Sequence, residues 1–315
     1  MPAFTRLPDL ALRGYGGAVI AASDESFAEK EALVRPGRPA FQAETFGNKG
    51  QVYDGWETRR RRTPGHDWAI IRLGLPGTVR GVVIDTAWFK GNFPPHASVE
   101  ACEVAGTPSP EELATAAWVE IVPRADLKGD AEHHFEVRDE RRYTHVRLNM
   151  YPDGGIARLR VHGEVRPDLS LYDGLSLDLA ALANGAVVTG CSDEFYSAPH
   201  NAIAPGLGRH QAEGWETARR RDDGNDWIVV RLAGRGVVRL AEIDTTNLLF
   251  NAPGAIRLRG RDGEGDWFDL LPRTGLQPDT PHRFRVEEAR PVTHVRADIY
   301  PDGGLARIRL HGNLA

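Results

Sequence analysis

Segments of the first half of this 315-residue chain return in the second half in the same order, and nothing else constrains its fold as tightly. The run Asp54-Gly-Trp-Glu-Thr-Arg-Arg-Arg-Arg62 matches Glu213-Gly-Trp-Glu-Thr-Ala-Arg-Arg-Arg221, 159 residues on. Asp67-Trp68 with Asp226-Trp227, Asp85-Thr86 with Asp244-Thr245, and Asn92 with Asn251 keep that spacing. Ser23-Asp24-Glu25 precedes its match by 169 residues, and Tyr151-Pro-Asp-Gly-Gly155 precedes its match by 149. The first copy therefore carries two insertions of ten residues, one before Asp54 and one between Pro94 and Thr144. The second contains Pro110 to Trp118, which reads as a short helix. So long a period excludes a solenoid and indicates a duplicated domain. The expected organisation is a first repeat at 1–166, a linker at 167–176 and a second repeat at 177–315.

Within each copy the hydrophobic period is two. Val146, Leu148 and Met150 alternate with His145, Arg147 and Asn149, and Leu159 and Val161 alternate with Arg158, Arg160 and His162. With Pro-Asp-Gly-Gly between them, these runs predict an antiparallel hairpin with one buried face. Trp68–Leu73 and Val79–Thr86 read as further strands, separated by Gly and Pro, and long amphipathic helices are missing. The expectation is an all-β protein: two tandem jelly-roll, galactose-binding-like antiparallel β-sandwiches.

A net charge of −5 argues against a surface built for nucleic acid or anionic lipid. No apolar run approaches the ~18 residues of a membrane helix. Two cysteines, Cys102 and Cys191, form no disulfide framework and no C-x-x-C pair, which fits a reducing, cytoplasmic location. No P-loop, dinucleotide fingerprint, His-Glu-x-x-His or nucleophile elbow occurs, so the sequence implies no cofactor. No histidine pair has convincing metal spacing, so a divalent metal is unsupported.

Three polar clusters remain. The first is Glu57-Thr-Arg-Arg60-Arg61-Arg62, repeated as Glu216 to Arg221. Arginine grips carboxylates through paired hydrogen bonds, so this run could hold a small anion; alternatively it is a solvated charge run or pairs with Asp. Trp56 and Trp215 beside it are core or rim anchors before ligand platforms. The second joins His66, Asp67, Asp85, Lys90 and Asn92, a set suited to acid–base work, or else turn-capping carboxylates. His66, Lys90 and Gly91 become Asn225, Leu249 and Phe250, which confines any chemistry needing them to the first repeat. The third is the polar face holding His145, Arg147, Asn149, Arg158, Arg160 and His162, a candidate anion site or simply the wet face of a sandwich. Asp153 and Asp302 sit in turns that conformation alone explains.

Taken together, Asp54 to Arg62, Gly65-His-Asp-Trp68, Asp85-Thr-Ala87, Gly91-Asn92 and Tyr151 to Arg158, in two copies, resemble the allantoicase family from about Gly17 to Gly312. The resemblance implies two jelly-roll domains, a homo-oligomer, and hydrolysis of the small molecule allantoate to ureidoglycolate and urea in purine breakdown. For that substrate, Arg60 and Arg61 would hold the carboxylate, and Glu57 or His66 would move a proton. Asp85, Lys90 and Asn92 would bind a ureido group or water, and Arg158 would be a further substrate-binding residue. Competing readings are a tandem carbohydrate-binding module and a purely structural protein. The arginine-centred motif and the lack of a leader count against the first.

Overall fold

The computed structural model describes residues 2–41 and 43–315. By contacts the chain divides into two units, Met1–Arg166 and Pro167–Ala315. Unit one contains β1 (Ala18–Ala22), β2 (Phe46–Gly47), β3 (Gly50–Gln51), β4 (Trp56–Glu57), β5 (Asp67–Asp85), β6 (His96–Cys102), α1 (Pro110–Ala114), β7 (Val119–Asp126), β8 (Glu132–Glu136), β9 (Arg142–Tyr151), β10 (Gly155–Ile156) and β11 (Arg158–Val165). Unit two contains β12 (Leu177–Asp178), β13 (Val187–Cys191), β14 (Trp215–Glu216), β15 (Asp226–Asp244), β16 (Ala255–Arg261), β17 (Phe268–Gly275), β18 (Pro281–Arg285), β19 (Val292–Tyr300), β20 (Gly304–Leu305) and β21 (Arg307–Leu314). No helix among the described residues is long and apolar enough to cross a membrane.

Each unit is an antiparallel jelly-roll sandwich organised by one long strand. In unit one, the first half of β5 lies between β1 and β9 in a five-stranded sheet of order β1-β5-β9-β6-β7, and its second half lies between β11 and β8. The two strands expected over 68–73 and 79–86 are thus one. Its register against β9 slips between Arg72 and Gly77, where the strand passes from one sheet to the other. Pro76 falls at that irregularity, where a residue with no N–H is tolerated. Unit two repeats the plan, with β15 between β13 and β19 and then between β21 and β18.

Alternation places Ala69, Ile71, Ala97, Val99, Val146 and Leu148 on one inner face and Val82, Ile84, Leu159 and Val161 on the other, all fully buried. Helix α1 starts at the expected Pro110 and ends at Ala114. Ser109 and Glu112 cap it reciprocally, and Leu113 is driven into the protein.

The predicted hairpin is not formed. β9 and β11 share no ladder; each pairs with a different half of β5, and the connecting Gly155–Ile156 pairs with β4. A period of two reveals faces, not partners. Nor is the third polar cluster one wet face, for its members lie on two sheets, and His145, Asn149 and Arg158 are buried. The outer face of the β9 sheet is covered by the α1 insertion, with Ile70, Cys102 and Leu113 packed together and Trp68 and Trp118 against them. Over β11, His162 meets the Leu7 carbonyl at 2.8 Å and Arg160 donates to the Gly37 carbonyl at 2.9 Å.

Candidate active site

The repeated motifs converge on one end of each unit because the Tyr-Pro-Asp-Gly-Gly turn holds the arginine run on one side and an asparagine on the other. In unit one, Glu57 lies on β4 opposite Gly155. Thr58 donates its backbone N–H to the Gly154 carbonyl at 3.1 Å, and the backbone N–H of Arg61 donates to Asp153 Oδ2 at 2.6 Å. Gly155 N–H reaches the Asn92 carbonyl at 2.7 Å. The peptide bond between Tyr151 and Pro152 is cis. Gly154 has φ +146, and a Cβ there would lie 2.6 Å from Pro94 N and 2.8 Å from the Asn92 carbonyl oxygen. Only glycine fits this close approach.

Between these walls is a cleft of about 620 Å³, lined among others by Phe27, Glu57, Arg60, Arg61, Asn92 and Asp153. Trp56 is fully buried beneath it and donates its indole N–H to the Asp24 carbonyl at 2.8 Å, an anchor and not a ligand platform. Glu57 is half-buried, and Asn92 Nδ2 donates to its Oε1 at 2.6 Å. Burial pushes the Glu57 carboxyl above the usual carboxylate range, opposed only by that hydrogen bond. Among the described residues no cation pairs with it.

Arg60 is exposed, belongs both to this cleft and to a neighbouring one of about 480 Å³ that reaches Asp24 and Asp67, and has no carboxylate partner among the described residues. Arg61 differs. It donates to Asp67, itself 2% exposed, through Nη1 at 2.8 Å, so its charge is already satisfied. Gly65, at φ +126, leaves the room this needs, since a Cβ there would sit 2.9 Å from the Arg61 guanidinium.

Other residues singled out from the sequence lie elsewhere. Asp85 is buried and accepts from the Ala87 N–H at 2.8 Å, a turn cap, with its carboxyl pushed up by burial. Arg158 is buried and bonded to Asp54 Oδ2 at 2.7 Å and to the Asp54 carbonyl at 3.0 Å. His66 rests on the Tyr151 ring, centroids 4.7 Å apart, with Nε2 3.3 Å from Asn149 Oδ1. Lys90 is exposed, 3.9 Å from Asp130, in a side recess of about 260 Å³ with Phe41, Gln51, Tyr53 and Trp88 that joins the cleft at Gly91 and Asn92. Among the lining residues sequence reasoning passed over Asp153 as a turn residue; its exact repetition as Asp302 was the available signal. Among the described residues no group of three or more His, Cys, Asp or Glu could hold a metal ion.

Unit two repeats the frame. Arg220 N–H donates to Asp302 Oδ2 at 2.6 Å, its guanidinium to Asp226 at 2.7 Å, and Gly304 N–H to the Asn251 carbonyl at 2.9 Å. Glu216 is nearly closed off, 6% exposed, and accepts from both Asn251 and Gln211.

Residues 8–166 and 177–315 each match the model of the allantoicase repeat. The chain is 57% identical to a probable allantoicase of Nocardia farcinica, covering 99% of this chain and 95% of that one. It is 50% identical to a probable allantoicase of Streptomyces avermitilis, covering 99% and 86%. The crystal structure of allantoicase from Saccharomyces cerevisiae superimposes with a TM-score of 0.81 at 34% identity, covering 98% of this chain and 93% of that one. With both repeats matched in order and identity running through nearly the whole length, the chain belongs to the allantoicase family.

Proposed function

We propose that the cleft of unit one hydrolyses allantoate to ureidoglycolate and urea, with Glu57 as the proton-transfer group. One observation carries the assignment of this site: among the described residues, a half-buried carboxyl without a cationic partner faces the same cleft as an arginine without an anionic one. Allantoate presents a carboxylate on a carbon bearing two ureido groups, so Arg60 takes the carboxylate and Glu57 and Asn92 take one ureido arm. Glu57, whose protonated form is favoured by desolvation, gives its proton to the nitrogen of the departing arm as the carbon–nitrogen bond breaks, and urea leaves with the bonding pair. The lone pair of the other ureido nitrogen forms a carbon–nitrogen double bond. Water then adds to that carbon, its proton returns to Glu57, and ureidoglycolate results.

Arg61, Asp85 and Arg158 hold the frame in this scheme, Arg61 through Asp67 and Arg158 through Asp54. Lys90 in the side recess attracts the anion, and His66 supports Tyr151. The carbohydrate-module alternative has no support from the full-length likeness to allantoicases. The family reading extends to a homo-oligomer, and two unpaired cysteines fit a cytoplasmic protein. The test follows urea and ureidoglycolate release from allantoate. Wild type is expected to release both in step. Arg60→Ala is expected to raise KM at least about tenfold with its fold intact; an unchanged KM removes Arg60 from the site.

A further inference from the structure

In unit two the counterpart of Glu57 already has a guest. The side-chain amide nitrogen of Gln211 lies 2.9 Å from Glu216 Oε1 and 2.8 Å from Oε2, straddling the carboxylate, while Asn251 donates to Oε1 as Asn92 does to Glu57. The rest of the binding set is retained. Arg219, the counterpart of Arg60, is exposed and has no carboxylate partner among the described residues, and Asp302 holds the arginine run as Asp153 does. Among the described residues unit one has no such plug. Asn92 is the side chain that donates to Glu57 among the described residues, while Gln51, in the matching stretch before Trp56, instead accepts from the Tyr53 hydroxyl at 3.3 Å.

The chemistry of the plug is specific. A glutamine side chain ends in the same C(=O)–NH₂ group as a ureido arm, with a methylene where the arm has its inner nitrogen. We infer that the Gln211 carboxamide occupies on Glu216 the seat of a ureido group, so that unit two holds a second site for a ureido-substituted carboxylate, closed by its own side chain. This rests on the reading of Glu57 and Arg60 given above and deepens it. The seat is a carboxyl flanked by an asparagine amide, with an exposed arginine for the carboxylate. Gln211 is exposed and sits on a single turn, Gln211–Glu213, so removing its amide leaves the core of unit two untouched.

The probe is N-carbamoylglycine, which carries one carboxylate and one ureido group but no second arm to expel. Calorimetric titration of the full chain is expected to give about one equivalent per wild-type chain, lost in Arg60→Ala. Gln211→Ala is expected to take up about two equivalents, the second lost when Arg219→Ala is added, and to turn over allantoate within about twofold of wild type. A Gln211→Ala chain that still binds one equivalent, or a wild-type chain that already binds two, overturns the closed second site while leaving unit one's assignment standing. If instead Arg60→Ala keeps its equivalent and Glu57→Gln keeps wild-type turnover, it is the reading of unit one that fails.

Discussion

A carboxyl that has been stripped of water without gaining a cation weakens the native state whenever it is ionised, and Glu57 is such a group. Its folded pKa lies above its unfolded one, so the native form binds the extra proton. The stability it contributes is complete below the ordinary carboxylate range and is lost as pH rises through the raised value. Glu57→Gln is therefore expected to lower kcat at least about 100-fold and yet to raise the melting temperature at pH 7, an advantage that vanishes in acid. Paired kinetics and thermal melts across pH check both halves. His145 has the opposite sign. Burial, helped by the Arg72 charge, holds its imidazole down at about 4, its Nδ1 lies 2.8 Å from Thr144 Oγ1, and only 1% of the residue is exposed. Stability tied to neutral His145 is present above about 6.5 and lost as pH falls towards about 4. His145→Gln is expected to flatten the decline in melting temperature over that window, and a decline unchanged in the variant assigns it to other groups.

At the scale of elements, the cleft depends on one turn making three attachments at once: Gly154 to Thr58, Asp153 to Arg61, and Gly155 to Asn92. Gly154→Ala forces a Cβ against the backbone of Asn92 and Pro94 at a φ few side chains adopt. The expected result is a loss of about 1–3 kcal/mol in stability together with reduced turnover, because the Asn92 loop must yield; denaturant melts and urea assays read the two effects separately. The duplication, the strand content and the sandwich were legible because repeated motifs and a period of two are written in consecutive residues. Partnership was not. Val146 and Leu148 reveal their face, but nothing in their spacing says that β9 pairs with the first half of β5 while β11 takes the second. The family resemblance gives Asp85 and Arg158 substrate roles, yet they do not line the cleft, which collects the residues that the Pro-Asp-Gly-Gly turn can reach. Gln211 stayed hidden because it lies where the insertion before Asp54 breaks the correspondence between the copies.

Across the whole molecule, each unit ties down its own polar sheet face, and the charges that do so are interchanged between the repeats. In unit one Glu100 accepts from Arg147 at 2.7 Å and from the neutral Asn149 at 2.8 Å; in unit two the acid has moved to Asp298, gripped by Arg259 and Arg296, both at 2.8 Å. Asp298→Ala strands two arginines on that face. It is expected to cost about 2–4 kcal/mol, below the value for a fully buried pair because both guanidinium groups reach solvent. Allantoate turnover at 25 °C is expected to stay within about twofold of wild type, since the acid and arginine assigned to catalysis are in unit one; a proportionate loss of activity would place catalysis in both units. The long strand β5 carries a further consequence. Because it is an interior strand of both sheets, neither sheet of unit one can open by shedding an edge without leaving β5 hydrogen-bonded to the other. Amide hydrogens at Ile70–Ile71 and at Val82–Ile84 should therefore exchange with solvent slowly and at matched rates, released only when the whole unit unfolds, and β15 should mark the same event in unit two.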